Sequence, residues 1–211
     1  MAEQNNIQKI EEINAIISEI QNKINRGEYQ TGILSEFVKP VKYLHVALPY
    51  LNVYLTPIKT GVDGHFFHKD YKDFKAPYIL IHNNVFKRNK VVLDEHSIAH
   101  ELQHYFDWRD GIPRTPVKSI LKPEGGISSE YYNNPDEKRA YTIQFLRQYF
   151  QQVKLKRMPD NFVDFYKDFF KKISDARKYY QYISSENRND FDKYLQDFHQ
   201  KLLERKHNEL I

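Results

Sequence analysis

Residues 94–111 read DEHSIAHELQHYFDWRDG, and the rest of the chain is organised around them. Within this stretch His100, Glu101 and His104 form the pattern H-E-x-x-H. On an α-helix the two histidines lie one turn apart on the same face, so both imidazoles can bind one metal ion. The Glu101 side chain lies about 100° further round the helix, where it can reach a water bound to that metal rather than the metal itself.

The same stretch carries the signals of a complete helix. Asp94 is a good N-cap, and Glu95 in the first turn interacts favourably with the positive end of the helix dipole. Gly111 can adopt the left-handed conformation that often ends a helix, and Pro113 prevents its continuation. These signals predict a helix over residues 94–110.

H-E-x-x-H in a helical frame resembles the zincin metallopeptidases. In that family both histidines bind zinc, and the glutamate is the general base of peptide hydrolysis. The resemblance covers this helix and one later acidic helix, about a quarter of the chain. It implies that His100 and His104 bind Zn²⁺, that Glu101 is the catalytic residue, and that the substrate is a protein or peptide.

The third metal ligand has two main candidates, and the first is Asp110. It lies ten residues after His100, the spacing at which metzincin-like enzymes place a ligand after a glycine turn. Asp107 occupies the position of that glycine, and no methionine is placed for the Met-turn of those enzymes. A helix that continues through Trp108 would put Asp110 about 9 Å further along its axis than His104. Asp110 is therefore expected to be a helix-end or surface acid.

Glu137 is the second candidate and the predicted ligand. It lies in residues 131–145, YYNNPDEKRAYTIQF, where Asn134 can cap a helix and Pro135 suits its first position. The small Ala140 shares a helix face with Glu137 and would let a second helix approach closely. This layout resembles the gluzincins, in which a glutamate from a separate helix completes the zinc site. It is more distantly similar to the small intracellular ImmA/IrrE-type peptidases.

Other roles around this centre stay open. If Glu137 is only a first-turn glutamate favoured by the helix dipole, the ligand would be another acid: Asp110, Glu130 or Asp136. Asp107 could accept a hydrogen bond from the outer ring nitrogen of His104 and fix its tautomer. Three tyrosines could stabilise an oxyanion or serve only in packing: Tyr131, Tyr132 and Tyr141.

Composition excludes several functions. The 211 residues suffice for one domain with a substantial core. The 32 basic and 28 acidic residues give a net charge of +4, too mild and too dispersed to predict nucleic-acid binding. The chain has no cysteine, which excludes a disulfide framework and a thiolate zinc site. The polar start and the lack of a long apolar run predict no signal peptide, no membrane span and a cytoplasmic or otherwise intracellular protein, with association with a particle or release by lysis as the alternatives.

One domain is predicted over residues 1–211. Residues 1–27 form an amphipathic helix with isoleucines at coiled-coil spacing: Ile10, Ile13, Ile17, Ile20 and Ile24. This isoleucine seam either docks on the chain itself or mediates self-association or binding of a partner helix. The connection at residues 112–134 is expected to border the cleft, and residues 134–211 are helical in pattern.

Residues 38–90 form the predicted sheet region. β-branched and aromatic runs predict strands at 41–48, 51–55 and 76–84. The sequence GVDGH at residues 61–65 reads as a turn. The segment Tyr78–His82 is expected to edge the cleft, where an extended substrate could add to it as another strand.

The sequence therefore predicts a zincin-like α+β fold. A small, mostly antiparallel sheet packs on the H-E-x-x-H helix, with an N-terminal helix and a C-terminal helical region. The predicted function is a zinc-dependent metallopeptidase, in which His100, His104 and Glu137 bind the ion and Glu101 is the general base for a metal-activated water. The alternative is a catalytically inactive zincin-fold protein whose zinc site serves binding or structure.

Overall fold

The chain divides into two compact units. The sheet unit is Glu11–Pro113, and the helical unit combines Met1–Ile10 with Arg114–Ile211. The computed structural model describes residues 6–34, 41–58, 64–70, 74–82, 84–87, 90–115 and 128–208. Most of the predicted connection at residues 112–134 lies outside these ranges. The single domain over residues 1–211 stays a prediction.

Both helices and strands are present, so the predicted α+β class is confirmed. The described residues form seven α-helices: α1 (Asn6–Asn25), α2 (Glu95–Arg109), α3 (Ser129–Asn133), α4 (Pro135–Gln152), α5 (Phe162–Lys172), α6 (Ser174–Tyr182) and α7 (Ser185–Asn208). They also form seven strands: β1 (Gln30–Leu34), β2 (Val41–Ala47), β3 (Asn52–Leu55), β4 (Gly64–Phe67), β5 (Tyr78–Ile81), β6 (Val85–Lys87) and β7 (Lys90–Val92).

Among the described strands, five form one sheet in the order β1-β2-β3-β5-β4. Three of its four pairings are antiparallel, and β3 pairs with β5 in parallel. The sheet is therefore mixed but mostly antiparallel, as predicted. The strands predicted at 41–48, 51–55 and 76–84 are confirmed as β2, β3 and β5. The last two strands, β6 and β7, form a separate hairpin.

The sheet packs on α2 through one of its faces, because side chains alternate along each strand. α2 lies against β4 and β5. Phe66 of β4 contacts Tyr105 and Trp108 of α2, with ring centroids 6.0 and 5.9 Å apart. The buried apolar residues on the face of Phe66 are Leu44, Val46, Val53, Leu55, Ile79 and Ile81. The opposite face carries a small aromatic cluster of Tyr54, Phe74 and Tyr78.

The strand expected to edge the cleft is not an edge strand. β5, within Tyr78–His82, lies between β3 and β4. The end strand is β4, which begins at Gly64, inside the stretch read as a turn. A glycine-rich run predicts a turn from local preference, whereas its pairing with β5 is a non-local contact that no local pattern carries. The prediction that a substrate adds to Tyr78–His82 is therefore wrong.

Asn84 joins the end of β5 to the start of α2. Its side-chain amide is buried and donates hydrogen bonds to the backbone carbonyls of Thr56, Ile81 and His82, at 3.3, 2.9 and 3.2 Å. Its Oδ1 accepts a hydrogen bond from the backbone N–H of Asp94 at 3.1 Å. Asn84 therefore fixes where α2 begins relative to the sheet.

Within the helix predicted over residues 1–27, the structure has α1 at Asn6–Asn25, and residues 1–5 of the prediction lie outside the described residues. Gly27 follows it with a φ of 74°, the left-handed conformation that glycine adopts without strain. All five residues of the isoleucine seam are buried, with 0 to 8% of their surface exposed. The chain itself therefore covers the seam, as the docked alternative predicts. Self-association and a partner helix stay predictions.

The helical unit has a core rich in aromatic side chains. Its buried aromatic residues are Phe145, Tyr149, Phe165, Phe169, Phe170, Tyr179, Phe191 and Phe198. Ile7 and Ile10, from the first turns of α1, belong to the same core. None of the helices in the described part of the chain is both long and apolar enough to cross a bilayer.

Candidate metal centre

α2 begins and ends where its capping residues predict. The Oδ1 of Asp94 accepts a hydrogen bond from the Ser97 backbone N–H at 3.2 Å, so Asp94 is the N-cap. Gly111 follows the C-cap with a φ of 71°. The helix predicted over residues 94–110 is therefore confirmed. Its boundaries fix which side chains fall on each face.

The polar residues of H-E-x-x-H are buried. Only 7% of His100, 6% of Glu101 and 4% of His104 is exposed. The ring centroids of the two histidines lie 5.0 Å apart, as expected for residues one turn apart. Burying polar and ionisable groups is costly unless they are paired or bind a metal. The two histidines are therefore not a solvated pair on a helix surface.

α4 places Glu137 in its first turn. The Oδ1 of Asn134 accepts hydrogen bonds from the backbone N–H groups of Asp136 and Glu137, at 2.9 and 3.5 Å. The Asn134 side-chain amide also donates to the carbonyl of Thr115 at 3.0 Å. Pro135 occupies the first helical position, as the sequence predicts. Glu137 is buried, with 8% of its surface exposed.

The structure brings together one ligand atom from each of His100, His104 and Glu137. These three atoms all lie within 4.8 Å of one another. Tetrahedral zinc, with bonds of about 2.0–2.2 Å, separates its ligand atoms by roughly 3.3–3.6 Å. The grouping could hold a metal ion.

The donor set fits a zinc site with an open position. Two imidazoles and one carboxylate leave the fourth tetrahedral position available, as in catalytic zinc sites. Closed structural sites use four protein ligands and commonly thiolates, which a chain without cysteine cannot supply. In the part of the chain that the structure describes, the grouping with metal-ligand spacing is this one.

The other acids considered as the third ligand lie outside this grouping. Asp110 is the C-cap of α2, and its Oδ1 accepts a hydrogen bond from the Arg109 Nε at 3.1 Å. The Oδ2 of Asp136 accepts from the Thr115 backbone N–H at 2.8 Å, and its Oδ1 pairs with an arginine of the same helix. Glu130 is exposed in the first turn of α3.

The supporting roles suggested by the sequence remain predictions. Asp107 is buried, and its Oδ1 accepts a hydrogen bond from the Gln103 Nε2 at 2.6 Å. Its bond to His104 stays a prediction. Tyr132 and Tyr141 pack against the core of the helical unit, with ring centroids 5.6 Å apart. This contact accounts for both rings without a catalytic role, and an oxyanion role for Tyr131, Tyr132 or Tyr141 stays a prediction.

Tyr179 of α6 interacts with Glu137, although the sequence does not single it out. The ring is buried, and its hydroxyl donates a hydrogen bond to the carbonyl of Tyr132 at 3.3 Å. Burial raises the pKa of Tyr179, and the negative charge of Glu137 raises it further. The phenol therefore stays protonated beside that carboxylate. No local spacing signals this residue, because it lies two helices further along the chain.

Glu101 lies against Gly64, the first residue of β4. A Cβ atom at position 64 would lie 2.9 Å from the Glu101 Cγ and 3.2 Å from its Oε1. The glutamate side chain thus occupies the space that a side chain at 64 would take. A signal exists in the sequence: a glycine at the start of an alternating strand pattern, here GHFF, indicates a close approach of another group.

No family model, curated protein or solved structure matches this chain. The resemblance to zincins therefore rests on H-E-x-x-H and the acidic helix alone. The function is inferred from the residues of the site itself.

Proposed function

We propose that this protein is a zinc-dependent metallopeptidase in which His100, His104 and Glu137 bind Zn²⁺. Glu101 is the general base, and the substrate is a protein or peptide. The observation that supports the proposal is the buried grouping of the three ligand atoms, with Glu101 adjacent to His100 on α2. The zincin-like, gluzincin-type layout of the α+β fold is part of the same proposal.

Each residue has a distinct role in hydrolysis. A zinc ion held by the three ligands would polarise the scissile carbonyl and lower the pKa of the attacking water. Glu101 accepts a proton from that water as its oxygen attacks the carbonyl carbon. Glu101 then delivers the proton to the amide nitrogen as the C–N bond breaks. The products are a carboxylic acid and an amine, so one water is consumed for each bond.

Burial adds to the effect of these groups. Glu101 and both histidines have little contact with solvent, so the local dielectric is lower than that of bulk water. Electrostatic interactions with charge that develops in the transition state are stronger in such a site. The burial of the site therefore supports a catalytic role for Glu101.

The test is Glu101→Gln, which keeps the size of the side chain but removes the proton acceptor. We expect bound zinc, measured by elemental analysis, to stay near one ion per chain. Hydrolysis of denatured casein and of fluorogenic peptides should fall about 100- to 10,000-fold. Glu95→Gln is the matched control, an exposed glutamate at the start of the same helix, and should leave both measurements unchanged.

Three outcomes of the same experiment would contradict the proposal. If Glu101→Gln cleaves as well as the parent, the assigned base is wrong. If the parent binds one zinc but hydrolyses no peptide, the catalytically inactive alternative is favoured. If the parent binds no zinc, the metal site itself is refuted.

A further inference from the structure

Gly64 lies at a buried strand position, where glycine is unfavourable. It is buried at the start of β4 and pairs with Ile81 of β5, on the face of the sheet against which α2 lies. Glycine inside a strand is less favourable than alanine, because it loses more conformational freedom on folding. A requirement for space would outweigh that cost.

The space at position 64 is filled by the Glu101 side chain. An alanine Cβ there would lie 2.9 Å from the Glu101 Cγ and 3.0 Å from the Ile81 Cδ1. The Ile81 Cδ1 is the far end of a flexible side chain and can move away. The Glu101 Cγ lies in the middle of its side chain, close to the helix backbone, so relieving this contact requires the glutamate side chain to shift. An alanine at 64 therefore redirects the carboxylate.

We propose that Gly64 is a positioning residue for Glu101. The missing side chain on β4 lets the carboxylate adopt the orientation required of the general base, an inference that rests on the proposed function. The three atoms nearest to a Cβ at position 64 belong to Glu101 and Ile81, and none of them to His100, His104 or Glu137. Gly64→Ala should therefore separate zinc binding, which is kept, from turnover, which is lost.

The first measurement needs no activity. In metal-free protein labelled with ¹³C at glutamate carboxyls, the Glu101 resonance is assigned by its loss in Glu101→Gln. Gly64→Ala should shift that resonance and leave the ring signals of His100 and His104 in place. The second measurement is turnover, for which a misplaced catalytic group predicts a loss of about 100-fold in kcat with an unchanged zinc content.

Gly32→Ala is the matched control. Gly32 lies in β1, the strand at the other end of the sheet, and an added Cβ there would meet the ring of Tyr43 even more closely. This variant imposes a similar steric demand on the same sheet but does not touch Glu101. It should lower thermal stability and leave the Glu101 resonance and kcat unchanged.

If Gly64→Ala does not fold, the double variant Gly64→Ala/Ile81→Val removes the Cδ1 contact and keeps the one with Glu101. An unchanged Glu101 resonance in either folded variant would overturn the positioning role, whether or not the protein is a peptidase. If Gly64→Ala shifts the Glu101 resonance but the parent protein hydrolyses no peptide, the positioning role is supported and the proposed function is refuted. A loss of zinc together with kcat in Gly64→Ala alone would show a merely structural role.

Discussion

The buried imidazole of His82 couples stability to pH. Its Nδ1 lies 2.9 Å from the Thr56 Oγ1, and burial lowers its pKa below 6.5, with a smaller contribution from the nearby His65. Protonation therefore favours the unfolded chain, in which the imidazole is solvated. The contribution of His82 to stability is complete above about pH 6.5 and is lost as the pH falls through the lower pKa of the folded state.

This pH dependence can be measured by urea unfolding of metal-free protein between pH 8 and pH 5. The quantity of interest is the difference in pH dependence between the parent and His82→Gln. We expect His82→Gln to lose less stability on acidification than the parent does. His68→Gln, an exposed histidine of the same unit, should behave like the parent. Equal slopes for the parent and His82→Gln would contradict the assignment.

Among the secondary-structure elements, the connection between β5 and α2 depends on one side chain. Asn84→Ala removes the amide that donates to three backbone carbonyls and accepts from the N–H of Asp94. The buried backbone groups left behind should cost about 2–3 kcal/mol in the free energy of unfolding. Urea unfolding followed by circular dichroism measures this loss.

The control for Asn84→Ala is Asn208→Ala, an exposed asparagine at the end of α7. It should change the free energy of unfolding by no more than about 0.5 kcal/mol. A loss for Asn84→Ala as small as that of the control would show that the side chain does not hold α2 to the sheet.

The elements differ in how far the sequence predicts them. The sequence predicts α2 because the residues that end it, Asp94 and Gly111, act within a few residues of the helix ends. The sequence predicts the capping of α4 by Asn134 for the same reason. β4 was missed because its pairing with β5 is non-local, while its glycines favour a turn. Reading residues 61–65 as a turn also left the proposed role of Gly64 unpredicted, because a glycine in a turn is explained by its backbone conformation without a close neighbouring side chain.

At the scale of the whole molecule, the proposed zinc ligands come from two helices: His100 and His104 lie on α2, whereas Glu137 lies on α4, further along the chain. The unfolded chain offers no preformed site, so zinc binds the folded state more tightly and stabilises it. With free zinc at 100 times its dissociation constant, the free energy of unfolding should rise by about 2.7 kcal/mol. Thermal unfolding with zinc and with a chelator measures this gain.

His100→Ala should abolish the gain in stability. His96→Ala changes an exposed histidine one turn earlier on the same helix and should keep it. The spacing of His100 and His104 could be predicted because it is local to one helix. The convergence of Glu137 with them depends on tertiary structure, and the sequence supports it only through the capping of α4. A zinc-dependent gain that survives His100→Ala would place the metal elsewhere.

The place of Trp108 gives the protein an intrinsic optical reporter. It is the one tryptophan in the chain, and it lies one turn after His104 with its ring against Phe66. Fluorescence excited where the sixteen tyrosines do not absorb therefore originates from α2 alone. Stopped-flow mixing could follow events at this helix in real time without a dye or an engineered label.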